Sequence, residues 1–394
     1  MRIKSVNCIV CDAGWRPWIF VRVETDNGII GYSEITDSHG SVKGLVSTIE
    51  NLAEIIVGMD PLNINFILSK LYSKTKQTPF GLIQKAISGI ENSLWDIKGK
   101  YLNKPVYDIL GGKLRNSLEV YWSHCGTTRV RSADKVNKNK ISTFKDLEKF
   151  CVDDLTNSGI NYFKTNLIIF NENDNAHVHM PGFNFEQNMG DLNLSSTLEK
   201  KILMLLDLFH KNLPKNKKLL LDLNYNFNYP GLKELIIKLN DYDLYWIEID
   251  SQNHKTIKNI TELSKNLIAS GENLYTFSQY HPLITDTVSD VVVIDVIWNG
   301  LIESLKIANY SNFFDIPVAP HNYYSHLSTN ISLHFCSLVN NVKIMEVDID
   351  DVPWKDEIVD EIPVIKDGRI YLNDKPGWGI NLVEDQLKKY KWNS

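Results

Sequence analysis

The chain lacks long apolar runs: none of its 394 residues belong to a stretch approaching the ~20 needed to span a bilayer. Its start, Met1-Arg2-Ile3-Lys4-Ser5-Val6, lacks the apolar core of a secretory signal and alternates as a strand does. Positive charge is also short. Against 48 Asp and Glu stand 42 Lys and Arg, a net charge of −6, so no basic face for the phosphates of a nucleic acid is expected. An anionic small substrate stays open, because a bound cation reverses the local field. Cysteine is scarce, odd in number and scattered: Cys8, Cys11, Cys125, Cys151 and Cys336. Cys8-x-x-Cys11 has no second pair to complete a zinc site, and reduced thiols in a cytoplasmic protein are the simpler expectation. There is also no glycine-rich fingerprint for a phosphate.

What is present is an ordinary globular mixture, 43% hydrophobic and 23% charged. The length suits about two or three domains and a core that needs no staples. The first stretch reads as antiparallel strands (Trp18–Val23, a turn at Asp26-Asn27-Gly28, then Ile29–Ser33) followed by helices over Val42–Val57, Ile64–Ser73 and Leu82–Lys100. Strands followed by helices suggest an α+β module ending near residue 117. From Leu118 short apolar strands alternate with amphipathic helices. Strands are expected near Leu118–Trp122, Tyr162–Leu167, Leu219–Leu223, Tyr245–Ile249, Leu267–Ser270, Val291–Ile294, Ile316–Ala319 and Val342–Met345. One helix is expected to open at a capping box of Ser196 with Glu199. Others fit Leu232–Leu239, Ile257–Lys265, Leu301–Phe314 and Leu327–Val339. That outline is a TIM-type (β/α) barrel over 118–349. The tail, 350–394, carries one more alternating segment, Ile362–Leu372, expected to pack back on the first module. The polar stretch Asn171–Leu194, with His177 and His179, is expected to be a long loop over the barrel mouth.

Ionisable residues end the strands in register: Lys164, Asp222, Glu248, Glu272, Asp295, His321 and Glu346. Any one alone is most simply a helix cap or an ion-pair partner. In a barrel all seven converge at one mouth, and charge buried there must be paired or bound to metal. Three carboxylates from neighbouring strands suit a hard, oxygen-loving cation such as Mg²⁺, and Mn²⁺ would satisfy the same oxygens. His321 beside Asp295 suits a general base oriented by a carboxylate. Lys164 offers a cation for a substrate carboxylate, or a base if desolvated. Together these groups fit removal of a proton next to a carboxylate.

Two further segments carry a resemblance. Ala86-Ile87-Ser88-Gly89-Ile90-Glu91-Asn92-Ser93-Leu94-Trp95-Asp96-Ile97-Lys98-Gly99-Lys100 and Lys104-Pro105-Val106-Tyr107-Asp108-Ile109-Leu110-Gly111-Gly112 resemble the mandelate racemase subgroup of the enolase superfamily. The resemblance spans nearly the whole chain. It implies a barrel covered by a capping domain built from residues 1–117 and the tail. It implies Mg²⁺ on Asp222, Glu248 and Glu272, spaced 26 and 24 residues apart much as in the family. It makes Asp295 and His321 the catalytic dyad and Glu346 the partner of the substrate carboxylate. Trp15, Arg16, Trp18 and Asp37 to His39 become candidate specificity residues, and a symmetric homo-oligomer, often an octamer, is implied.

The sequence departs from the racemases at the second strand. They carry Lys-x-Lys there, whereas Lys164-Thr165-Asn166 lacks the second lysine and is similar to the galactonate dehydratases. Those enzymes place an acidic histidine where Asn224 stands here, so the acid is unassigned; His321 itself, His124, Tyr225 or His179 could supply it. The family's Glu-Glu-Pro after the fourth strand is Glu248-Ile249-Asp250. The expectation is an aldonate-type acid-sugar dehydratase, with Asn166, Asn224 and His124 near the substrate. An epimerase or cycloisomerase is the nearer alternative and a non-catalytic binding barrel the more distant one.

Overall fold

The computed structural model describes residues 1–37, 40–181 and 192–392. Three strands, β1 (Ile3–Asp12), β2 (Pro17–Thr25) and β3 (Ile30–Glu34), form an antiparallel sheet in chain order. Helices α1 (Val42–Ile56), α2 (Ile64–Lys74) and α3 (Leu82–Leu102) follow, within two residues of the expected spans. The Ser41 hydroxyl caps α1 by accepting from Gly44 N.

Helix α3 is buried almost all round, which explains polar residues in its otherwise apolar pattern. Their partners lie across the interface with the barrel. Ser88 donates to the Ile297 carbonyl at 2.6 Å, Gln84 to that of Asn299 at 2.8 Å, and Glu91 accepts from Ile302 N at 2.7 Å. Glu91 thereby satisfies an open N–H at the start of the barrel helix Leu301–Phe313. On the other side, Asp96 accepts from the backbone of Tyr32 and of Trp378, tying β3 and the tail to one carboxylate. Gly99 sits where the tail backbone crosses α3: a Cβ there would lie 2.6 Å from Gly377 Cα and 2.8 Å from the Lys104 carbonyl. Gly99→Ala is therefore expected to cost about 1–3 kcal/mol, read as a lower denaturant midpoint at unchanged slope.

The barrel strands run Ser117–Trp122, Tyr162–Thr165, Lys218–Asp222, Leu244–Glu248, Ile268–Ser270, Val291–Asp295, Val318–His321 and Met345–Val347, each parallel to its chain neighbour up to the seventh. The eighth pairs with the first, and a bridge between Val318 and Val342 links the seventh to the segment before the eighth. Side chains from alternate strand positions fill the interior, among them Tyr121, Leu220, Trp246, Val293 and Ile344.

Several expectations change. The eighth strand lies at Met345–Val347 rather than Val342–Met345. The helix expected from a capping box does start at Ser196, but its cap is Ser195, which accepts from Leu198 N. A helix over Thr276–Thr285, with Pro282 inside, fills the fifth unit, where none was expected. The stretch after the second strand begins as a hairpin, Ile168–Phe170 with Ala176–Val178, and residues 182–191 lie outside the described residues. In the tail, the hairpin Val364–Lys366 with Arg369–Tyr371 pairs with the start of the first barrel strand instead of the first module. Beyond it the tail does dock on that module, with Trp378 Nε1 donating to the Asn92 carbonyl and Trp392 N to that of Val10. No helix among the described residues is long and apolar enough to cross a membrane, and all five cysteines are free thiols.

Candidate active site

Parallel register brings the strand-end residues into adjacency. Asp222 pairs in register with Glu248, and Asp295 with His321. Because side chains alternate along a strand, residues at these matched positions share the barrel mouth. Lys164, Asp222, Glu248, Asp295, His321 and Glu346 are all buried, and Glu272 is half-buried just past the fifth strand.

His321 Nδ1 lies 2.7 Å from Asp295 Oδ2. That oxygen also accepts from the Tyr324 hydroxyl at 2.5 Å, and Asp295 Oδ1 accepts from Trp298 N at 2.8 Å. The carboxylate is thus fixed from three sides, and Nε2 is the ring nitrogen left for chemistry; Glu272 Oε2 stands 3.4 Å from it. Burial alone would lower the pKa of the imidazole. The carboxylates of Glu272, Asp295 and Glu346 outweigh burial and hold it up to about 10. Burial raises Asp295 itself, against its hydrogen bonds from His321 and Tyr324.

Lys164 Nζ lies 2.9 Å from Glu346 Oε1, 3.0 Å from Glu248 Oε2 and 3.7 Å from Asp222 Oδ2. Burial disfavours its charge, but Glu248, Glu346 and Asp222 more than offset this and raise it well above the usual lysine range. Held among three acids, the group is placed to bind an anion. Glu346 is buried too, yet Lys164, His321, the Ser123 hydroxyl and Asn322 N bring it down to about 2.

Cation demand is written into the remaining carboxylates. Burial and then Glu272 raise Asp222 against the pull of Lys164, and burial raises Glu248 with Asp222, Glu272 and Glu346 adding to it. Glu248 Oε1 and Asp250 Oδ2 are buried with no hydrogen-bond partner among the described residues. Among those residues no three His, Cys, Asp or Glu side chains stand as a finished coordination sphere, since the Lys164 ammonium lies between Glu248, Glu346 and Asp222. The donor chemistry nonetheless fits: carboxylate oxygens in excess of local positive charge, two of them without a hydrogen-bond partner among the described residues, suit a hard divalent ion.

The other sequence candidates separate into two groups. Asn166 and Asn224 meet at the mouth, Nδ2 to Oδ1 at 3.1 Å, and Asn224 N also donates to Asp222 at 2.8 Å. Trp15 stacks on Tyr323 at 5.7 Å between ring centres and meets His124 edge-on at 5.8 Å. Arg16, by contrast, is fully buried and donates to Asp351 at 3.0 Å and to the Tyr323 carbonyl at 2.6 Å, so those donors serve the protein. Trp18 is a core residue packed on Phe20 and Trp354. His177 is exposed on the hairpin and His179 stacks on Phe227. Asp37 pairs with Lys85 of α3 at 2.7 Å, while Ser38 and His39 lie outside the described residues.

Sequence reasoning missed Ser123, Tyr323, Tyr324 and Asp348. Only Asp348 carried a usable signal: two residues after Glu346 in an extended segment, it shares that residue's face.

With this geometry in view, the domain matches are decisive. Residues 7–111 match the mandelate racemase/muconate lactonizing enzyme N-terminal domain, and residues 201–386 the enolase C-terminal domain-like family. The chain belongs to the mandelate racemase/muconate lactonizing enzyme family of the enolase superfamily. A family member from Haloferax volcanii, D-xylonate dehydratase, is 27% identical over 98% of this chain and 88% of its own. The D-galactonate dehydratase of Pectobacterium atrosepticum is 25% identical over 93% of this chain and 89% of its own. A Burkholderia xenovorans crystal structure, described as a candidate L-alanine-DL-glutamate epimerase bound to magnesium and fumarate, superposes with a TM-score of 0.95. It is 34% identical and covers 99% of this chain and 96% of its own.

Proposed function

We propose that the protein is a magnesium-dependent acid-sugar dehydratase, which removes the proton next to the carboxylate of an aldonate-type substrate and expels the β-hydroxyl to give a 2-keto-3-deoxy acid. The observation that carries this reading is a mouth with one oriented base. His321 is oriented by its carboxylate at 2.7 Å, whereas Lys164 Nζ lies within 3.0 Å of both Glu346 and Glu248, and Asn166 occupies the site of a second lysine. One base suits elimination; inversion needs a base on each face of the carbon.

In this reading Asp222, Glu248 and Glu272 hold Mg²⁺, or Mn²⁺ in its stead. When bound, the ion supplies positive charge for the enediolate and relieves the pull of Glu272 on His321. Lys164 and Glu346 orient the substrate carboxylate, and Asp295 with Tyr324 holds His321 Nε2 toward C2. The D-xylonate and D-galactonate dehydratases support the substrate class, and the magnesium-bound Burkholderia structure supports the metal. The same reading divides the chain into a capping domain (1–117), a barrel (118–349) and a tail (350–394). It also includes a cytoplasmic location and a symmetric homo-oligomer, the octamer being the form expected from the family.

The Burkholderia structure also favours a second reading, epimerisation, which would need Lys164 as the other base. A panel of aldonic and aldaric acids, incubated with the protein and Mg²⁺, separates the two. Keto acid from one stereochemical set is the expected result. A new diastereomer without keto acid would establish the epimerase and overturn the dehydratase.

A further inference from the structure

The elimination needs a proton for the departing hydroxyl, and Asn224, just past the third-strand Asp222, has no acidic proton to give. At the end of the first barrel strand stands His124. Its neighbours pin it in place, Ser123 N on the Val347 carbonyl and Cys125 N on that of Lys164, so the turn bridges the eighth and second strands. His124 itself adopts φ +48°, a region L-residues other than Asn, Asp and His seldom occupy.

Its Nδ1 lies 3.3 Å from Asp348 Oδ2, and that aspartate side chain is fully buried. The His124 side chain is 17% exposed. This repeats the His321–Asp295 arrangement: a ring nitrogen held by a buried carboxylate at a strand end, the other nitrogen unclaimed by any described hydrogen bond. The two imidazoles flank one ring, with Tyr323 centred 5.0 Å from His321 and 5.5 Å from His124. Between them in strand order is Glu346, bonded to Ser123 on one side and to Asn322 on the other.

We propose that His124, held by Asp348, is the general acid that protonates the leaving β-hydroxyl. The proposal rests on the dehydratase reading. His321 takes the C2 proton, and the electron pair forms the C2–C3 double bond as the C3–O bond breaks. The oxygen leaves as water with the proton of His124 Nε2. The enol then becomes the ketone: His321, after exchanging its proton with solvent, protonates C3, and the enol oxygen returns its proton to His124, so both histidines are restored. Asp348, on Nδ1, fixes the ring's orientation and leaves Nε2 to carry the mobile proton.

The test uses His124→Asn, because asparagine tolerates the positive φ, with a sugar acid that the wild type dehydrates and its 3-deoxy-3-fluoro analogue. For the natural substrate, keto-acid formation is expected to fall by at least about a hundredfold, the lower range for loss of a general acid. Deuterium exchange at C2 in D₂O should persist, because His321 is intact. The fluoro analogue, whose leaving group departs without a proton, should be eliminated by the variant at a rate near that of the wild type. Undiminished dehydration of the natural substrate would overturn the proposal alone, as would equal losses of exchange and of fluoride release. If the wild type forms no keto acid from any sugar acid, the dehydratase reading fails and this assignment fails with it.

Discussion

His321→Asn is expected to abolish keto-acid formation and C2 deuterium exchange together. His321 is the base that starts the reaction, and its removal should reduce both by about 10²- to 10⁴-fold. Asparagine keeps polarity and much of the volume, and Asp295 keeps donors from Tyr324 and Trp298, so the mouth should not collapse. The paired loss is the informative part. A base acting elsewhere would leave exchange intact in this variant, measured by NMR of recovered substrate in D₂O. Set beside His124→Asn, in which exchange should survive, the two histidines acquire separate signatures.

Glu248→Gln is expected to remove metal dependence and activity while leaving the fold intact. Glu248 is buried, raised by burial and by Asp222, and retains one oxygen without a partner. A carboxamide of the same shape cancels one charge in a crowded group, so the metal-free variant should melt no lower than the metal-free wild type. The gain in melting temperature that Mg²⁺ gives the wild type should disappear, since a ligand stabilises only the state it binds. Mg²⁺ affinity should fall by more than the about 10- to 100-fold typical of losing a group behind a ligand. Calorimetric titration and thermal melts check both. An unchanged Mg²⁺ affinity would remove Glu248 from the metal site.

Much of this site was legible in the sequence because burial is informative where it is costly. Lys164, Glu248 and Asp295 end apolar runs, and charges in such positions have few explanations besides pairing or metal binding. The barrel strands were legible for the same reason, as short runs buried on both faces. What escaped depended on partners far along the chain. Arg16 looked free for a ligand, yet its partner Asp351 lies 335 residues away. Trp18 was separable from Trp15 in principle: strand alternation puts it on the inward face with Phe20, and both are core residues. The helix Thr276–Thr285 was hidden by Pro282 and by polar residues that blur its apolar stripe. The eighth strand was misplaced because Val342 only bridges to the seventh strand, while continuous pairing begins at Met345. Tyr323 and Tyr324 carried no signal, since adjacent tyrosines fit a core as well as a pocket.

The most direct test of the central claim is to follow where hydrogen goes when the wild-type protein, Mg²⁺ and a turned-over sugar acid react in D₂O. The prediction is a 2-keto-3-deoxy acid carrying deuterium at C3, with formation that slows when the substrate bears deuterium at C2. Loss of C2 hydrogen to solvent with the β-hydroxyl retained and no keto acid formed would contradict it.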